Sequence, residues 1–284
     1  MSNIKHKSRI LQGMVIILSS AVFVLMYAAP KTEPLEKINQ RQIEETRKEI
    51  NIQVQEIKGT LDPIQATRLN GFETLYATSQ GSSKVQFLDS IIRFWDTQMR
   101  PAVSALYVEE KAELTQDLNH LVEAANRYVQ IATFMDAQDK AWAYDRGLAL
   151  FDKILLIQPK HADARIGKGI CIVESGRGIP MEGIELIRQV VDEDPTNTRA
   201  ILQLGHFSLL SGQFDKAIER YKQAWNVDTT LDEALFYIGD GFAKSGQLDS
   251  AFSYLNRFKA LQKDQTVVNE LEAYMKEINI LSNH

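Results

Sequence analysis

TRAILQLGHFSLLSGQFDKAIERYKQAWNVDTTL, Thr198 to Leu231, decides how the chain folds. With Thr198 as position 1, Ile201 stands at 4, Leu204 and Gly205 at 7 and 8, Ala217 at 20, Tyr221 at 24 and Ala224 at 27. Apolar residues recur at three- and four-residue intervals, the period of a helix with one buried face. Ser211-Gly212-Gln213 breaks that pattern with a glycine where a first helix must stop, because a helix C-terminus often needs a left-handed residue. Gly205 and Ala217 lack bulk where two antiparallel helices would come closest. The stretch reads as one helical hairpin.

The next stretch, Asp232 to Gln265, repeats the arrangement with Leu235, Ile238, Gly239, Gly246, Ala251 and Leu255. Gly205 and Gly239, Gly212 and Gly246, and Ala217 and Ala251 are each 34 residues apart. Upstream the spacing is 36, from Gly169 to Gly205 and from Pro159 to Pro195. The two extra residues fit best in the loop Gly176-Arg177-Gly178-Ile179-Pro180, since insertions are tolerated between helices. Pro180 suits the first turn of the helix that follows.

A 34-residue period carrying Leu-Gly, Ala and an aromatic at these offsets resembles the tetratricopeptide repeat (TPR) family. Thr229 stands where that family usually has proline. The resemblance implies an all-α solenoid of helix pairs, with three TPR repeats over 162–265 and degenerate pairs over 83–161. Within the degenerate region, Val85, Leu88, Ile91, Ile92 and Trp95 line one helix face, and a longer pair is expected over Glu113–Met135 and Lys140–Ile157. Residues 266–284 supply a helix and tail that cap the last repeat, whose seam would otherwise be exposed.

The N-terminal part is different. Residues 1–9 contain Lys5, His6, Lys7 and Arg9 and no acid, and residues 10–29 (Ile10 to Ala29) carry no charge. Twenty helical residues span roughly 30 Å, enough to cross a bilayer. Cleavage after Ala29 would place Tyr27 at −3, and cleavage after Ala28 would place Met26 there, neither of them small. An uncleaved transmembrane signal anchor is therefore expected. Its basic flank sets the N-terminus in the cytoplasm and the repeats in the periplasm of a bacterial inner membrane. Residues 30–82 form a helical spacer, with one helix over 31–58 ending at Gly59. Ile43, Ile50 and Ile57 recur every seven residues, but Thr46 and Gln53 interrupt the seam. Both a plain spacer and self-association through 31–58 stay open.

Composition bounds the chemistry. The chain has 284 residues, a formal charge of −5 and one cysteine. An intrachain disulfide, a thiolate zinc site and an iron–sulfur cluster are thereby excluded, and the charge argues against nucleic acid. Cys171 sits among Ile170 and Ile172 and reads as a small core residue. Gly167-Lys168-Gly169 lacks the spacing of a phosphate loop, and the five histidines lack metal-ligand spacing. No cofactor, metal or catalytic residue is expected.

What remains is a surface. The TPR resemblance implies a groove along the first helices that takes an extended or helical peptide. Its positions fall on Ile166 and Ile170, then on Arg199, Leu202, Gln203, His206 and Leu209, then on Glu233, Phe236, Tyr237 and Asp240. The lysines and asparagines of a carboxylate clamp are missing, so an amphipathic helix from a protein partner fits better. Several of these residues could equally pack between repeats. The expected role is a non-catalytic, membrane-anchored scaffold or adaptor, serving an envelope assembly or secretion complex. The layout is also similar to cytochrome c maturation factors, which is the alternative.

Overall fold

A computed structural model describes residues 54–176 and 178–281. The expected anchor over 10–29, its basic tail and most of the spacer lie outside the described residues. Among the described residues there is no strand, and no helix is long and apolar enough to cross a membrane. The chain divides into two compact units, one up to Ala66 and one from Thr67 onward.

From Pro63 onward the described residues form α1 Pro63–Thr78, α2 Gly81–Thr97, α3 Pro101–Thr115, α4 Leu118–Ala132, α5 Ala137–Ile157, α6 Ala162–Glu174, α7 Pro180–Glu193, α8 Thr198–Leu210, α9 Phe214–Val227, α10 Glu233–Lys244, α11 Leu248–Leu261 and α12 Gln265–Leu281. Within the second unit, α2/α3, α4/α5, α6/α7, α8/α9 and α10/α11 pack as successive antiparallel pairs. Side-chain caps start several first helices: Asn197 accepts from the Ala200 N–H, and Asp117 from Asn119. His161 caps α6 through Nδ1, 3.3 Å from the Ala164 nitrogen. A cap contributes about 1 kcal/mol, so it sets where a helix begins; burial decides that the helix exists at all.

Helix pairs meet through residues with almost no side chain. A Cβ on Gly169 would lie 2.6 Å from the Gly183 carbonyl oxygen, and one on Gly239 would lie 2.7 Å from Leu255. On Gly205 it would meet the Tyr221 ring at 3.0 Å. Gly183 therefore does in α7 what Ala217 and Ala251, both fully buried, do in the next two pairs. The two extra residues lie between these contacts, where residues 175–179 join α6 to α7 and only 211–213 join α8 to α9. The turn glycines Gly212 and Gly246 have φ of +73° and +78°. At both, the residue after the glycine donates its N–H back into the helix, Gln213 to Ser208 and Gln247 to Phe242.

Thr229 leaves the turn intact. Asp194 accepts from the backbone N–H and hydroxyl of Thr196 at 3.0 and 2.7 Å, and Asp228 accepts from Thr230 at 2.9 and 2.7 Å. The turn is built by the Asp-x-Thr pattern, with or without proline. These donors hold both carboxyls below the ordinary Asp range.

One expected boundary is moved. The helix expected over Glu113–Met135 is two helices, parted at Gln116, which takes φ of +53° and ends α3. A polar network ties the pairs on either side. Tyr128 on α4 donates to Glu109 on α3 at 2.6 Å, and Arg146 on α5 pairs with the same buried carboxylate. Burial, and then Glu109, pushes the Tyr128 hydroxyl up. Cys171 is fully buried, and burial raises its thiol likewise.

Two glycine substitutions test the close approach. Gly169→Ala should cost about 1–3 kcal/mol, because the added methyl meets backbone. Gly71→Ala in α1, where a Cβ meets nothing within 4 Å, should instead gain about 1 kcal/mol of helix propensity. Urea denaturation of the full chain reads both, and equal effects would overturn the packing assignment.

Candidate interaction groove

The first helices α6, α8 and α10 carry the groove positions, and their side chains divide into three groups. Ile166 is fully buried and Ile170 and Leu209 nearly so. Ile166 and Ile170 belong to the main core, whereas Leu209 packs with Ala217, Ile218, Tyr221 and Ile238. These three are structural here. The neighbouring Gly167 explains part of it: a Cβ there would lie 2.0 Å from the Phe151 ring, so α5 and α6 approach too closely to leave Ile166 outside.

A second group lies under the C-terminal helix. Asp240 is buried and accepts a hydrogen bond from the Tyr274 hydroxyl of α12 at 2.5 Å, while Lys244 pairs with it from the next turn. The Phe236 ring packs on Tyr274 and on Phe258, with centroids 5.9 and 5.7 Å away. The chain itself therefore fills this end of the groove. Burial pushes the Tyr274 hydroxyl up, and Asp240 adds to it.

The third group is open. Arg199, Leu202, Gln203 and His206 of α8 and Glu233 and Tyr237 of α10 line one cleft of about 470 Å³, with Leu231 at its rim. Tyr221 of α9 also lines it and stacks on Tyr237, ring centroids 5.0 Å apart and 17° from parallel. Repeat spacing assigns Tyr221 to the seam between pairs. It is in the seam, and the same ring lines the cleft because Gly205 leaves it room. Burial raises the hydroxyls of both tyrosines, with Glu233 and Asp240 contributing.

Arg199 ties three successive first helices together. Its guanidinium reaches Asp163 of α6 and Asn126 of α4, each at 2.8 Å. Both Arg199 and Asp163 are exposed, so this pair is worth no more than about 1 kcal/mol. It orders the face more than it stabilises it. Among the described residues, no group of three or more His, Cys, Asp or Glu is placed to hold a metal.

No family model matches the sequence, and no curated protein matches it either. Solved structures do. A thermophilic TPR protein of Thermus thermophilus, TTC0263, is 16% identical over 69% of this chain and 99% of its own, with a TM-score of 0.53. MamA of Desulfovibrio magneticus RS-1, residues 41 to the end, is 19% identical over 66% of this chain and 100% of its own, with a TM-score of 0.47. The first likeness and the 34-residue phase agree on the fold. The helix pairs have the tetratricopeptide-repeat fold.

Removing one hydroxyl tests the filled end. Tyr274→Phe deprives a buried carboxylate of a donor and should cost about 1.5–3 kcal/mol, the range for hydrogen bonds to charged groups. A urea midpoint unchanged by the substitution would show that α12 does not seal the last repeat.

Proposed function

We propose that the chain is a non-catalytic scaffold that holds a protein partner, or an amphipathic segment of one, against its first helices. The observation that carries this reading is the open cleft between α8 and α10. There Leu202 and Tyr237 offer apolar surface while Gln203 and His206 offer polar groups at the same opening. Such a mixture suits a helix with one apolar and one polar side. The face is also ordered beforehand by the Arg199 bridge, which lowers the entropy lost on binding.

The scaffold is tethered, on this reading, by Ile10–Ala29 as an uncleaved anchor in a bacterial inner membrane. Lys5, Lys7 and Arg9 keep the N-terminus in the cytoplasm. The TPR pairs then stand in the periplasm, where they position a subunit of an envelope assembly or secretion complex. Support for the placement is the uncharged length and its basic flank.

Photoreactive residues at positions 206 and 237, with position 219 on α9 as control, test the groove in cells. Protein adducts at 206 and 237 but not at 219 are expected. Identical patterns from all three positions, or none, would overturn the groove. Protease added to spheroplasts should digest the chain beyond Lys31; full protection would overturn the placement.

A further inference from the structure

We infer that the cleft between α8 and α10 is a subsite for a cationic side chain of the partner, a lysine ammonium or an arginine guanidinium on its apolar stem. This rests on the groove reading and adds the chemistry of one contact. Two charged residues line the cleft, and they are not equivalent. Arg199 is already engaged by Asp163 and Asn126, both at 2.8 Å. Glu233 is exposed and makes no ion pair among the described residues. The charge left to a ligand is therefore negative.

Beside that carboxylate stand the stacked rings of Tyr221 and Tyr237. An aromatic face attracts a cation through its quadrupole, more strongly when water is displaced. The stem of lysine or arginine can lie along the half-buried Tyr237 ring and Leu202 while its head reaches Glu233. The Tyr221 hydroxyl is buried and has no hydrogen-bond partner among the described residues. Unsatisfied buried polar atoms are rare enough to need a reason. Glu233 also lies in the first turn of α10, where an acidic residue favours the helix dipole. That accounts for its charge, but not for the paired rings or the unsatisfied hydroxyl.

The test uses the full chain with ring-labelled tyrosine, followed by NMR. The probes are n-butylguanidinium and n-butylammonium, with butyrate and 1-butanol as controls of the same stem. The two cations should shift the Tyr221 and Tyr237 ring signals saturably, and the controls should not. Glu233→Gln should weaken the cation response about threefold to fivefold, the size of one partly exposed charge contact. Equal shifts from butyrate, or a cation response untouched by Glu233→Gln, would overturn the subsite. Capture at position 206 of a partner segment holding neither lysine nor arginine would also overturn it while leaving the groove reading in place.

Discussion

Everything in the second unit depends on how near the two helices of a pair can come. A helical glycine costs about 1 kcal/mol against alanine, yet Gly169, Gly183, Gly205 and Gly239 all sit inside helices. The cost is offset because a carbonyl oxygen, a Tyr221 ring or a Leu255 side chain takes the place of the missing Cβ. Burying one such large side chain contributes about 1.5–3 kcal/mol. The close pair also fixes which face of the first helix is left over.

The same constraint explains what could be read from the sequence. Small residues at fixed offsets have few uses, so the pairs from α6 to α11 and the two-residue loop insertion are legible from residue spacing alone. The TPR resemblance rests on those positions too. The α3–α4 boundary is not legible, because Gln116 adopts a left-handed conformation that a side chain normally disfavours. Glycine announces such a turn; glutamine does not. The buried Glu109, Tyr128 and Arg146 network joins residues 19 and 37 positions apart in a region where the repeat signature has faded. Its members look like ordinary surface residues in the sequence.

The groove is half legible for a related reason. Repeat positions say which residues stand on the first helix, but not how deeply each is covered. Leu202 and His206 stay open, whereas Ile166 and Ile170 go under because Gly167 and Gly169 draw their neighbours in. Phe236 and Asp240 are covered by a helix that carries no repeat signature. Yet α12 keeps the register: Tyr274 lies 34 residues after Asp240 and occupies the place of a next first helix. Sealing the stack and ending the groove are one act.

That register also explains why the cleft carries unbalanced charge. Asp163, Arg199 and Glu233 hold the same position in three successive first helices, one charge of alternating sign on each. The first two satisfy each other across the α6–α8 boundary. The next residue in phase with Glu233 is Val267, 34 positions on, which has no charge to return. Glu233 is thus the last member of a ladder whose other rungs are joined. In water an exposed carboxylate loses little by this, so the arrangement is stable without a partner. A cation brought in by another chain would complete the ladder from outside, and it would do so at the spot where the two tyrosine rings already form a wall.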